Sequence, residues 1–151
     1  MKAKKICENT LKTQFPSLSQ NEALARALVS SFLMQLNPTV SELADIKCAV
    51  SEAVTNCTVH AYRDTVGPVV MTMRSYNDRS VRIEIKDRGC GIEDIPKALE
   101  PLYTTDREGE RSGMGFTVME SFTDKLRVTS RPSKGTKITL IKTLSDISPA
   151  T

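Results

Sequence analysis

Glu52, Asn56 and His60 recur at intervals of four residues, and Asp87, Gly89 and Gly91 at intervals of two. At the helical pitch of about 100° per residue, the first set stacks a carboxylate, an amide and an imidazole along one face. A carboxylate there is a candidate general base. An amide oxygen suits Mg²⁺, which takes few protein ligands and keeps waters and phosphates as the rest. The competing reading is the solvated side of an amphipathic helix.

The second set closes a strand. Val81, Ile83 and Ile85 alternate with Arg82, Glu84 and Lys86, which puts Asp87 on the apolar side. A carboxylate there needs a partner or costs several kcal/mol. Amides of the following turn are one possible partner. Because an ionised carboxylate only accepts hydrogen bonds, an exocyclic amine such as adenine N6 is another, and guanine's carbonyl is opposed. Gly89 and Gly91 allow a sharp turn and a close backbone approach. Further on, Ser112-Gly113-Met114-Gly115 precedes a helix and can aim free amides at phosphate, or simply start that helix. It lacks the Gly-Lys-Ser/Thr ending of a P-loop and is too short for a dinucleotide fingerprint. Arg107 and Arg111 lie in the polar, aperiodic stretch from Tyr103 to Ser112, expected to be a mobile loop or lid. They could place a cation on a γ-phosphate, as phosphoryl transfer requires.

These residues must be held by a small set of elements. A first strand is expected over Thr10 to Phe15, with residues 1–9 and 145–151 loosely held. Ser19-Gln20-Asn21-Glu22 reads as a capping box opening a helix to about Leu36, where Asn37-Pro38 ends it. Thr39-Val40-Ser41-Glu42 is a second capping box, opening a long helix to about Tyr62. Its apolar stripe is Leu43, Ile46, Val50, Val54, Cys57 and Ala61. A hairpin over Val69 to Asp87 turns at Asn77–Ser80, and a short helix is expected within Ile92 to Leu102. A helix from Phe116 to Phe122 and a closing hairpin, Leu126 to Ser130 and Thr136 to Leu144, complete an α+β chain. Its helices are expected on one face of the sheet.

The 151 residues suit a single domain, and 39% hydrophobic with 26% charged content is that of a globular protein. A net charge of +3 without a dense basic run gives no argument for direct nucleic-acid binding. No apolar run approaches membrane-spanning length, and the basic N-terminus lacks the apolar core of a signal peptide. Cys7, Cys48, Cys57 and Cys90 show no Cys-x-x-Cys spacing and accompany one histidine. Reduced thiols in a cytoplasmic protein are expected rather than a zinc site or disulfides, with Cys48 and Cys57 as small core residues.

In order, Glu52-x-x-x-Asn56, Asp87-x-Gly89-x-Gly91, Ser112-Gly113-Met114-Gly115 and Gly135-Thr136 resemble the N box and three glycine boxes of the GHKL ATPase and kinase superfamily. Leu18 to Glu22, Ser51 to Asn56 and Arg111 to Phe116 further resemble the anti-sigma F factors of spore-forming bacteria. The resemblance spans roughly Leu18 to Leu144. It implies a Bergerat-type two-layer α/β sandwich with a mixed, mostly antiparallel sheet. It also implies a homodimeric protein-serine kinase, using ATP (with ADP as product) and Mg²⁺. Such a kinase holds sporulation sigma factor F inactive and phosphorylates an anti-anti-sigma protein. By motif, Glu52 and Arg111 would be catalytic and Asn56 the Mg²⁺ ligand. Asp87, Gly89, Gly91, Thr104, Thr105, Ser112, Gly113, Met114, Gly115 and Thr136 would form the nucleotide pocket. Arg26, with Glu22, would meet the protein partners, and His60 would be structural. Alanine is usual at the position of Cys57 and glycine at that of Ala61. A sigma-binding module without phosphotransfer would not require Glu52; a stress-response switch kinase would share the boxes.

Overall fold

A computed structural model describes residues 4–100 and 115–146. Five strands, β1 (Cys7–Pro16), β2 (Pro68–Tyr76), β3 (Ser80–Asp87), β4 (Lys125–Arg131) and β5 (Gly135–Thr143), form one sheet in the order β1-β2-β3-β5-β4. Every pairing is antiparallel. The helices are α1 (Asn21–Met34), α2 (Val40–Thr55), α3 (Ile95–Ala98) and α4 (Gly115–Phe122). This is the α+β arrangement that the order of apolar periods implies.

Register turns the alternating strands into continuous apolar rows. Leu11, Met73, Ile83, Leu140 and Leu126 lie side by side across all five strands, as do Thr13, Met71, Ile85, Ile138 and Val128. The next row is Phe15, Val69 and Asp87. Asp87 therefore continues a core row, buried as the period-two pattern requires. Ile46, Ala49, Val50, Ala53, Val54 and Cys57 of the central helix bury against these rows, with Val29 and Leu33 of α1 and Met119 of α4. Ile83 or Ile85 cut back to alanine would cost about 2–5 kcal/mol. The sheet's other face carries Arg74, Arg82 and Glu84, the carboxylate lying 3.0 Å from Arg82 and 3.9 Å from Arg74.

The capping box at Thr39 forms in full: Thr39 Oγ1 accepts from Glu42 N (3.0 Å) and Glu42 accepts from Thr39 N (2.8 Å). The one expected at Ser19 does not. Gln20 precedes the first turn of α1 in helical geometry, without a side-chain cap, while Asn21 Nδ2 donates to Pro16 O (2.9 Å). Glu22 turns instead toward α2. The expected first strand also begins too late, since pairing with β2 extends to Cys7. Asn77 holds the chain before it, accepting from Ile6 N and donating to Lys4 O. Cys48, expected in the core, is exposed. Among the described residues, the short helix expected within Ile92 to Leu102 is α3, where Asp94 caps Lys97 N and Pro96 occupies the first turn.

Nor does α2 run unchanged to Tyr62. It gives way at Asn56 to a π-helical turn, Asn56–Ala61, closed by the five-residue bond from Tyr62 N to Cys57 O (3.2 Å). Side chains occupy the carbonyls ahead of it: Thr55 donates to Ser51 O (2.7 Å), Thr58 to Val54 O (3.2 Å) and Cys57 to Ala53 O (3.6 Å). Such back-bonding competes with the α-helical ladder and bends it. The ideal four-residue stacking of Glu52, Asn56 and His60 therefore holds only as far as Asn56.

Candidate functional site

Glu52 and Asn56 stand at the C-terminal end of α2, and α4 begins directly against them. A Cβ built on Gly115 would lie 3.2 Å from Glu52 Oε2 and 3.6 Å from Asn56 Oδ1. Glycine at that point leaves the two oxygens unobstructed by a side chain from α4. Asn56 Nδ2 is buried and has no hydrogen-bond partner among the described residues. Buried polar groups are normally satisfied, so this amide marks a place for a polar ligand.

Asp87 forms the other side. Its Oδ1 accepts from Gly89 N (2.9 Å) and Thr136 N (3.2 Å), and its Oδ2 from the Cys57 thiol (3.5 Å). Burial pushes the Asp87 carboxyl above the usual carboxylate range, opposed by the donors Gly89, Cys57 and Thr136. Burial, then the charge of Asp87, pushes the Cys57 thiol well up in turn. The amides of Gly89 in the turn and Thr136 in β5 thus claim Oδ1, while Oδ2 keeps accepting capacity.

The glycines around Asp87 answer to this protein's own backbone. A Cβ on Gly89 would run into the Ala61 carbonyl, and one on Gly91, whose φ is +75°, into that of Arg131. Gly135, at φ +94°, packs against the backbone of Asp87 and Arg88. Cys90 N donates to Ala61 O (3.0 Å), tying the turn after β3 to the π-helical turn. Ser130 braces the other side, accepting from Ile92 N (2.8 Å), donating to Gly135 O (2.9 Å) and sharing a hydrogen bond with Thr136 Oγ1 (2.8 Å). Tyr62 donates to Pro68 O (2.7 Å) and accepts from Arg88 N.

On the far side of α2, Glu22 Oε1 accepts from Arg26 Nη1 (3.1 Å) and Ser51 Oγ, and Oε2 from Thr55 Oγ1 (3.1 Å). Glu22 and Arg26 are therefore joined to the two hydroxyl residues that precede Glu52 and Asn56.

Glu52, Asn56 and Gly115 are thus brought together, as are Asp87, Gly89 and Thr136. Thr104, Thr105, Arg107, Arg111, Ser112, Gly113 and Met114 lie outside the described residues. The sequence did not single out Ser130 or Tyr62, whose contacts depend on strand register and on the π turn. Cys57 was read as core filling. The available signal was its place next to Asn56 on the sheet-facing stripe.

Comparison with known proteins gives this geometry a family. The histidine kinase-like ATPase domain profile matches residues 15–142. A protein of Caldanaerobacter subterraneus subsp. tengcongensis named anti-sigma F factor is 52% identical over 135 residues, 89% of this chain and 93% of its own length. The chain belongs to the anti-sigma F factor family of histidine kinase-like ATPase domains. An anti-sigma F factor of Clostridium botulinum (strain Eklund 17B / Type B) is 50% identical over 141 residues, 93% of this chain and 99% of its own. Among solved structures, the RsbU and RsbW domains of a Mycobacterium tuberculosis protein superpose with a TM-score of 0.69. That match is 23% identical and covers 93% of this chain and 34% of the other. A histidine kinase domain from Erythrobacter litoralis gives 0.53 at 24% identity, over 70% of this chain and 46% of its own. At such identities these structures establish the fold alone. As a histidine kinase-like ATPase domain, this member of the anti-sigma F factor family binds nucleotide. No helix among its described residues is long and apolar enough to cross a membrane.

Proposed function

We propose that the chain is an ATP- and Mg²⁺-dependent protein-serine kinase and anti-sigma factor. It holds sporulation sigma factor F inactive in the cytoplasm and phosphorylates an anti-anti-sigma protein on serine, working as a homodimer. The observation that carries this reading is the closeness of Gly115 to Glu52 and Asn56, which gathers a carboxylate and an amide unpartnered among the described residues where the second glycine box ends. The residues fit Mg²⁺: Asn56 Oδ1 is a hard oxygen donor beside space that a side chain on Gly115 would fill. Asn56 would hold the ion, which supplies neutralisation of phosphate charge. Glu52 accepts the proton of the attacking serine hydroxyl. Asp87 Oδ2 receives the adenine amine, and Thr136 N holds Oδ1. Gly89, Gly91, Gly113 and Gly115 shape the pocket, with Thr104, Thr105, Ser112 and Met114 completing it. Arg111 meets the γ-phosphate, and Arg26 and Glu22 meet the protein partners. The relatives named anti-sigma F factor support the sigma-binding half.

The test mixes the chain with γ-labelled ATP and the anti-anti-sigma protein, alongside sigma F. Label on a partner serine is expected, lost in Glu52→Ala while nucleotide binding survives. An unlabelled partner with sigma still bound would reduce the protein to a nucleotide-dependent binding module.

A further inference from the structure

Cys57 is a buried thiol to which the proposed reaction gives no task, yet it touches the carboxylate on which nucleotide choice rests. Both hydrogen bonds to Oδ1 of Asp87 come from backbone amides, Gly89 N and Thr136 N. On Oδ2 the one donor among the described residues is Cys57 Sγ, at 3.5 Å. A carboxylate oxygen has two acceptor positions, so the thiol fills one on Oδ2 and leaves one. The thiol has a single proton and a second acceptor within reach, Ala53 O at 3.6 Å. It can therefore serve Oδ2 or turn back to its own helix without being stranded. The π-helical turn brings it there, since Cys57 O closes that turn while Cys57 Sγ faces β3.

We infer that Cys57 is a positioning and specificity-determining residue: its thiol fixes the rotation of the Asp87 carboxylate so that the open position of Oδ2 meets an amine on the base. The inference rests on the reading of Asp87 as the adenine acceptor. With Oδ1 held by two amides, the thiol donating to Oδ2 rather than to Ala53 O completes one orientation of the carboxylate, which then arrives at the base already aligned, the advantage of preorganisation. The same donor favours the ionised form of Asp87, the form that accepts from an amine and opposes a carbonyl.

The test compares ATP with inosine triphosphate, which differs at position 6 by a carbonyl in place of the amine. Affinities of the full chain for each are measured by calorimetry, in wild type and in Cys57→Ala, Cys57→Val and Cys57→Ser, with melting temperatures for all. The two variants without a donor are expected to lose about fivefold in the ATP-to-inosine-triphosphate ratio, the size of one modest hydrogen bond. Cys57→Ser, whose shorter C–O bond leaves the hydroxyl out of hydrogen-bond reach of Oδ2, is expected to lower the ratio as the donorless variants do. An unchanged ratio in Cys57→Ser, or in either donorless variant that folds, overturns the inference. Asp87→Ala separates the two layers. If it leaves ATP affinity intact, the adenine reading itself is wrong. If it weakens ATP binding while the Cys57 variants keep the wild-type ratio, only the role of Cys57 falls.

Discussion

Gly115 stands so close to Glu52 that a methyl group on it would come within 3.2 Å of Oε2. That distance is tighter than ordinary packing, so the carboxylate would have to move. As the first residue of α4, Gly115 costs helix stability relative to alanine by at most about 1 kcal/mol. Gly115→Ala should therefore leave the melting temperature within about 2–4 °C of wild type. Phosphotransfer should fall at least about tenfold, the consequence of displacing a positioned group. Melting curves and labelled-ATP assays on the same preparation check both halves. Full activity in the variant would show that Glu52 tolerates the displacement.

Asp87→Asn should separate binding from stability. An asparagine oriented with its oxygen toward Gly89 and Thr136 keeps those bonds but presents a donor where the adenine amine needs an acceptor. ATP affinity should fall by at least about tenfold. The sign for stability comes from burial, which raises the carboxyl's pKa in the fold. The ionised group then costs stability above that raised value and ceases to cost it as the pH falls through it toward the unfolded value. At neutral pH the variant should unfold no more readily than wild type, and any advantage should shrink on acidification through that window. Urea titrations at neutral and acid pH check this. A variant much less stable at neutral pH would contradict it.

Glu22→Ala removes one carboxylate that serves Arg26, Ser51 and Thr55. The loss is expected to be about 1–2 kcal/mol, because the hydroxyls and guanidinium are half-buried and Thr55 retains Ser51 O as an acceptor. A urea midpoint equal to wild type would mean that this cluster contributes nothing to holding α1 on α2.

Thr39→Ala tests the cap that forms in full. Losing the bond to Glu42 N should cost about 1 kcal/mol. Burial opposes the charge of Glu42, but the Thr39 and Ser145 donors win and hold its carboxyl below the usual range. Its contribution is therefore present above the ordinary glutamate pKa and lost as pH falls through the depressed value. The backbone donors survive in alanine and only the Thr39 hydroxyl's share goes with it, so the penalty of the substitution should be only slightly smaller in acid, as parallel denaturation curves would register.

The two capping sequences show which part of the fold the sequence carries. Thr39 and Glu42 close a local box, with each bond spanning three residues. Ser19 and Glu22 have the same spelling, but a glutamate offered a guanidinium and two hydroxyls from its surroundings leaves the lone amide behind. The alternation of β3 likewise placed Asp87 inward, because a period of two is a property of the strand alone. Gly89 N, two residues on, is the local partner of Oδ1; the other partners come from a π-helical turn and from β5, 30 and 49 residues away. No local pattern encodes those two meetings. The candidate site was legible as residue types and order, while its bracing by Cys57, Ser130 and Tyr62 emerges only once the chain is folded.

The π-helical turn also dictates how many residues the chain can place there. A helix that widens for one turn holds one residue more than an α-helical path between the same ends would need. Deleting one residue between Asn56 and Ala61 would let ordinary pitch resume between the same ends. Ala61 O would then stay beside Cys90 N and Gly89, as Glu52 and Asn56 would stay in place. An added residue would have no spare turn to absorb it and would rotate the downstream end by about 100°, carrying that carbonyl away from the turn after β3. The stretch can therefore give up a residue more readily than it can take one in.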